Sequence, residues 1–147
     1  MANITLVDDS GKSIYSLTGG APFVGNVDTI ALITHTAAAV GVSGADQINN
    51  NGRGIKLVID ITALTGTVPT LTVTIQGKDP VSGKYYNILV SAALAAVATT
   101  VMEVYPGILA VANLATGVTL PRTFRVITVI AGTTPAVTAT IAGSVIV

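Results

Sequence analysis

Hydrophobic and polar residues alternate with a period of two through several short stretches of the chain. The clearest stretch is 55–61, where Ile and Leu take the odd positions while Lys, Val and Asp take the even ones. This alternation is typical of a strand with one dry face and one wetter face. Residues 71–75 repeat it with threonine as the outer residue, and residues 85–90 follow a turn that contains proline and glycine. We therefore expect residues 54–91 to form two or three adjacent antiparallel strands joined by turns.

Strands are also expected on both sides of this central stretch. They are predicted at residues 3–7, 13–17, 29–36, 99–105, 124–130, 137–141 and 144–147. Residues 132–135 are expected to turn the chain, and Gly143 to kink or bulge the last strand. The alanine-rich run 92–98 fits either a helical turn or a loop packed on the sheet, and a short helix is expected near 110–114.

The spacing of these strands predicts the fold class. Short strands separated by Gly, Pro and Asn turns, without a long amphipathic helix, indicate an all-β chain folded as an antiparallel β-sandwich or a jelly-roll-like barrel. No repeat of fixed period is evident. Residues 1–27 are interpreted as an amino-terminal hairpin or arm, because the predicted hairpin is followed by a Gly- and Pro-rich connector at residues 19–26, and residues 28–147 as the sandwich domain.

Composition narrows the possible partners. Half of the 147 residues are hydrophobic, only 10 % are charged, the formal net charge is zero and cysteine is absent. Because the basic residues are scattered, nucleic-acid binding is not expected. The apolar run 88–98 is shorter than the roughly 20 residues of a membrane-spanning helix, and the first residues lack the pattern of a signal peptide. Such low surface polarity favours a homo-oligomer or a partner-covered surface.

The residues that could carry chemistry do not form a recognisable site. His35 is the sole histidine and lies between two threonines of a predicted strand, so a structural or interfacial role is favoured over catalysis. Asp8 and Asp9 are interpreted as part of a turn rather than a calcium loop. The stretch 52–54 is too short for a phosphate-binding loop and precedes a strand. We therefore predict no catalytic, metal or cofactor site, and no enzymatic activity.

Tyrosine and arginine side chains are the better candidates, as residues of an interface. Both types are enriched at binding hot spots. Tyr85 and Tyr86 are adjacent in a predicted strand, so they face opposite sides and at most one of them points to the core. Lys78, Asp79 and Lys84 border the turn before this strand and are expected to form only a solvated ion pair. The predicted interface residues are Ile4, Leu6, Tyr15, Phe23, Tyr85, Tyr86, Tyr105 and Arg122.

Five segments of the sequence resemble a family of small structural proteins of tailed double-stranded DNA bacteriophages. The resemblance extends from about residue 33 to the carboxyl terminus. The segments that carry it are 51–60 (NGRGIKLVID), 71–80 (LTVTIQGKDP), 82–86 (SGKYY), 104–107 (VYPG) and 120–126 (LPRTFRV).

This resemblance implies a head-decoration role. Such a protein sits on the outer capsid surface of the virion, typically as a homotrimer, and cements neighbouring subunits of the major capsid protein, having been made in the host cytoplasm. The amino-terminal arm would reach a neighbouring subunit. Two alternatives stay open: a structural component of the phage tail tube or tail tip, and a carbohydrate-binding module on the virion surface.

Overall fold

The computed structural model describes residues 4–7, 13–17, 28–50 and 52–147. The described residues form nine strands and no helix. The strands are β1 (Ile4–Val7), β2 (Ser13–Leu17), β3 (Asp28–Ala38), β4 (Gln47–Ile48), β5 (Gly54–Lys78), β6 (Tyr85–Val90), β7 (Thr99–Val104), β8 (Ala115–Thr116) and β9 (Thr123–Ile146). The predicted all-β class is confirmed, and the fold is a β-sandwich rather than a closed barrel.

Two unusually long strands form the centre of the sheet. β5 and β9 contain 25 and 24 residues and pair antiparallel, from Gly54 opposite Ile146 to Gly77 opposite Phe124. The outer strands lie on either side of this pair: β3 and β4 pair with β9, whereas β6 and β7 pair with β5. The two-residue β8 adds a short parallel contact to β7, which makes the sheet mixed. β1 and β2 pair antiparallel as a separate two-stranded sheet.

Both long strands bend at one place, which we call the corner and define as residues 62–70 of β5 and 131–136 of β9. Three register shifts interrupt the β5–β9 ladder there, and extra residues of this kind bend a ribbon. Gly66 and Gly132 adopt φ of 112° and 127°, which glycine tolerates without a steric penalty. Pro69 and Pro135 follow within three residues, and neither has an N–H to donate to the ladder.

The corner divides the sheet into two halves that share one hydrophobic core. Half-sheet 1 contains residues 54–61 of β5 and 137–146 of β9 with β3, β7 and β8, and half-sheet 2 contains the remaining parts of β5 and β9 with β4 and β6. The largest fully buried side chains come from both halves: Phe124, Ile55, Leu57, Ile59, Ile61, Leu71, Ile75, Met102, Ile141, Val73, Val104 and Val126. Burying them supplies most of the drive to fold.

Several local predictions differ from the structure. Residues 55–61 and 71–75 were predicted as neighbouring strands, but they are two parts of the single strand β5. The turn predicted at 132–135 likewise lies inside β9. The register is regular through Gly143, so the predicted bulge is wrong there. Residues 111–114 form turns instead of a helix, and the run 92–98 is a loop bridged to β5 through Leu94 and Leu71.

Two buried polar side chains connect the halves of the sandwich. His35, which is 3 % exposed, lies on β3 with its Nε2 3.0 Å from the Thr128 hydroxyl on the other half. That hydroxyl also accepts a hydrogen bond from the Val42 N–H at 2.9 Å. Asn49 donates to the Leu120 and Gly52 carbonyls and accepts from the Gly52 N–H. Each contact satisfies polar groups that would be costly to bury unpaired.

The strand connections follow an internal two-fold pattern. The segment from β3 to β4 runs along β9 from one end to the other, with a bridge from Ser43 to Ile127 midway. The segment from β6 to β7 runs along β5 in the same way. The chain therefore consists of two similar units, β3–β4–β5 and β6–β7–β8–β9. The outer segment of each unit pairs with the long strand of the other.

The corner contains a short sequence repeat on this two-fold axis. Residues 66–69 read Gly-Thr-Val-Pro and residues 132–135 read Gly-Thr-Thr-Pro, and the central threonines, Thr67 and Thr133, are paired with each other. Val68 and Thr134 take equivalent left-handed conformations, with φ of 50° and 48°. The sequence analysis missed this repeat because its two copies are only four residues long.

We predict that Val68→Asn stabilises the fold. A β-branched residue is strained in the left-handed region, where Asn is tolerated, and the relief is worth about 1 kcal/mol. Val68 is 74 % exposed, so little burial is lost. Thermal unfolding at low protein concentration should show a midpoint about 2–4 °C higher. Val81→Asn, at an exposed position without positive φ, is the control and should leave the midpoint unchanged. Equal effects of the two changes would show that the backbone at Val68 is not strained.

We predict that His35 makes stability depend on pH. Burial lowers the pKa of this imidazole below 6.5, so the unfolded chain binds the proton more readily than the folded chain. Its contribution is complete above pH 6.5 and is lost as the pH falls towards the folded pKa. Chemical denaturation of the wild type across this window should show that decline. His35→Gln, which can still donate to Thr128, should remove that part of the slope, and an unchanged slope would contradict the assignment.

Candidate functional site

The rim where β5 begins and ends gathers most of the described charged side chains around four of the predicted interface residues. We call it the open rim, and it comprises residues 46–50, 52–54, 76–87, 103–107 and 120–125. Half-sheets 1 and 2 meet there, because the Leu120 N–H, shortly before β9, donates to the carbonyl of Arg53, directly before β5, at 2.9 Å. The corner lies at the opposite end of the sandwich, halfway along β5.

A hydrogen-bonded polar cluster covers the outer face of half-sheet 2 at this rim. Asp46 accepts from Lys78 Nζ and from the Tyr85 hydroxyl, both at 2.7 Å. The Arg125 guanidinium stacks 3.4 Å from the centroid of the Tyr85 ring, and its Nε donates to Gln76 at 2.9 Å. Arg125 thus fixes the ring by a cation–π contact while a hydrogen bond holds its hydroxyl. The half-buried Tyr85 is therefore held rigidly.

Charges within the cluster shift the pKa values of its members. The hydrogen bond from Lys78, followed by that from Tyr85, holds the pKa of the Asp46 carboxyl below its ordinary value. The same contact with Asp46 raises the pKa of Lys78. The sequence analysis grouped Lys78 with Asp79 and Lys84, but the ion pair that Lys78 forms is with Asp46. Asp79 instead accepts from the Val81 N–H and the Ser82 hydroxyl, which lower its pKa.

A cleft of about 520 Å³ next to the cluster contains two of the predicted interface residues. Tyr86 is 49 % exposed, and its ring covers Gly77, where an added Cβ would lie 2.5 Å from the Tyr86 Cζ atom. Arg122 is exposed on the opposite wall. The lining residues are Lys78, Asp79, Pro80, Tyr86, Pro121, Arg122 and Thr123. An aromatic face beside an exposed guanidinium can bind a ring or a carboxylate of a partner.

The remaining interface predictions have different outcomes. Tyr105 is half-buried on the side of half-sheet 1, under the Arg53 guanidinium at 5.8 Å, and it lines a different cleft from Tyr86. Ile4 and Leu6 lie in β1 and Tyr15 in β2, where Leu6 is opposite Tyr15 in the backbone register. Phe23 lies outside the described residues. The structure therefore brings together Tyr86 and Arg122, with Tyr85 on the reverse side of the same strand.

The corner is a second exposed surface that the sequence analysis did not single out. The four segments that meet around it, residues 36–45, 61–71, 91–99 and 128–138, contain no Asp, Glu, Lys or Arg. Five exposed valines lie on them: Val40, Val42, Val68, Val97 and Val129. The signal available in the sequence was the contrast between these charge-free segments and the charged ones of the open rim.

The described residues give no indication of a reaction centre. Within them, no three His, Asp or Glu side chains lie close enough together to hold a metal ion. His35 is engaged with Thr128 inside the sandwich. No helix in the described ranges is long and apolar enough to cross a membrane. The exposed features that this geometry offers for binding are a cleft at one end and an apolar surface at the other.

Comparisons with known proteins do not extend this picture. No protein-family model, no curated protein and no solved structure matches the chain. The function therefore has to be argued from the chain itself.

We predict that Lys78→Met raises the pKa of Asp46 towards its ordinary value. Removing the ammonium deletes the largest cause of the depression and leaves the Tyr85 hydrogen bond and the charge of Arg125. NMR titration of the Asp46 carboxyl carbon measures the change directly. Lys84→Met is the matched control, because Lys84 has no described contact with Asp46, and it should leave the titration unchanged. An Asp46 titration that Lys78→Met does not move would show that the ion pair is absent in solution.

Proposed function

We propose that this chain is a structural virion protein of a tailed bacteriophage, which binds the outer surface of the capsid and cements neighbouring major capsid subunits. The observation that carries the proposal is the presence of two chemically different exposed surfaces at opposite ends of one sandwich: the Tyr86–Arg122 cleft and the charge-free corner. A cementing protein needs at least two contact surfaces. The resemblance of five segments to phage structural proteins supplies the biological context.

The construction of the sandwich suits a cementing role. The long strands β5 and β9 run the length of the fold, and buried hydrogen bonds from His35 and Asn49 join its halves. A body that is already ordered loses little conformational entropy on docking. Many copies that each bind weakly would then sum over a shell to resist internal pressure.

The open rim is the surface that we assign to the capsid. Arg122 and Tyr86 are of the types that dominate binding hot spots, and the Asp46–Lys78–Tyr85–Arg125 cluster holds the reverse side of β6, the strand of Tyr86, in place. The amino-terminal residues Ile4, Leu6, Tyr15 and Phe23 would add contacts from an arm that reaches a neighbouring subunit. A trimer at three-fold positions, as the resemblance implies, would place three such rims on adjacent capsid subunits.

A carbohydrate-binding module on the virion surface is a second candidate. The exposed Tyr86 ring, flanked by Arg122 in a cleft of about 520 Å³, offers the kind of aromatic face on which a sugar ring stacks. A glycan array separates the two candidates. Specific glycan binding that Tyr86→Ala abolishes would favour this reading, and an array without hits would remove it.

We predict that the purified protein coats phage heads assembled without it and that Arg122→Glu weakens this binding. Loss of a hot-spot arginine, together with reversal of its charge, should cost about tenfold or more in affinity. Co-sedimentation with heads measures the occupancy, and negative-stain labelling shows where the protein binds. Lys84→Glu, an exposed reversal in the turn before β6, is the control and should bind as the wild type does.

One kind of result would overturn the capsid role, and another would exclude only the assigned contact surface. Labelling of tails, or rings formed by the purified protein, would move the assignment to the tail tube or tail tip. Full binding to heads by both the Arg122 and the Lys84 variants would leave the capsid role standing but would exclude the Tyr86–Arg122 cleft as its contact.

A further inference from the structure

Val68 occupies a position that the folded chain does not itself explain. Its φ of 50° lies in the left-handed region, which is unfavourable for a β-branched residue. Its side chain is 74 % exposed, so burial within the described chain does not compensate for the strain. Asn or Gly would satisfy the same backbone more easily. A partner that covered Val68 would bury its side chain, and that burial would offset the strain of the backbone.

The surroundings of Val68 are arranged in two equivalent halves. Thr67 and Thr133 are paired at the local two-fold axis, and Thr134 occupies the position equivalent to Val68. The crossover segments 39–45 and 91–98 flank this centre on opposite sides, and each presents an exposed valine, Val40 and Val97. A partner with its own two-fold axis could make each contact twice for a single loss of translational and rotational freedom.

The absence of charge around the corner indicates which kind of partner would bind there. The nearest segments contain no charged residue, so a charged partner surface would be desolvated there without a counter-charge. A second copy of this chain presents a surface that is equally neutral, equally threonine- and valine-rich, and built around the same axis. Contact between like surfaces about a two-fold axis is the usual geometry of paired identical subunits. The open rim, which carries the charges, stays accessible in such a pair.

We propose that the corner is a self-association surface, through which two copies of this chain pair about a two-fold axis. The proposal goes beyond capsid binding and does not depend on it, because the pairing needs no capsid. It is also independent of any three-fold contact made elsewhere on the chain. A protein that trimerises through another surface would form pairs of trimers through its corners.

Light scattering on the purified full chain, over a range of protein concentrations, tests the pairing. Val68→Asp places a charge at the centre of the corner, and Asp is tolerated in the left-handed region, so the fold is retained. The expected result is that this change halves the mass, from dimer to monomer or from hexamer to trimer. Thr134→Asp, at the equivalent position, should do the same. Val81→Asp, on a valine that is 93 % exposed in the turn before β6, should keep the wild-type mass.

Thermal unfolding of the same variants confirms that each is folded. A wild type that is monomeric or trimeric at every concentration overturns the proposal, as does a Val68→Asp protein with unchanged mass. If Val68→Asp keeps its mass but binds phage heads less tightly, the corner contacts a capsid subunit instead, and the pairing is refuted while the cementing role stands. Conversely, if Val68→Asp halves the mass but the wild-type protein does not bind heads, the pairing is supported and the cementing role is refuted.

Discussion

The antiparallel pairing of β5 and β9 is the constraint on which the rest of the structure depends. A ribbon of 20 residue pairs is too long to bury one face against a single flat layer in a chain of this size. It must bend, and the corner is where it does so. Once bent, the two halves of the ribbon face each other across one core, and the outer strands extend each half in turn. The sandwich is therefore one sheet folded over, and its two ends differ because only one of them contains the bend.

Alternation of residue types predicted most of the strand positions but not their continuity. Gly66 and Pro69 are unfavourable inside a regular strand, and such residues occur both in turns that reverse the chain and at bends within a strand. The local sequence therefore does not distinguish the two outcomes. Only the partner strand decides between them, and that partner lies far along the chain. The opposite orientations of Tyr85 and Tyr86 follow from the period of a strand. The contact of Lys78 with Asp46 joins residues 32 apart, and no local pattern could have indicated it.

The two ends of the molecule differ in charge, because charged side chains lie at the open rim and are absent from the corner. At the open rim, Lys78, Arg125 and Arg53 are restrained by a carboxylate, an amide oxygen or tyrosine rings, so a partner meets a partly preorganised surface. At the corner, small side chains and valines leave nothing to pair with a charge. One end of the molecule is thus suited to recognition and the other to burial. This division is consistent with a component that joins others and with the near absence of charge from long parts of the sequence.

The exchange of outer segments between the two units also determines how the chain can be made. β3 pairs only with the last part of β9, so a nascent chain carries β3 and the whole of β5 without their main partner until β9 has been synthesised. Contacts between residues this far apart close large loops and form slowly. Because each unit pairs with the long strand of the other, neither unit can complete its sheet alone. The two units are therefore expected to fold together, and truncation within β9 would leave unpaired strand edges open to aggregation.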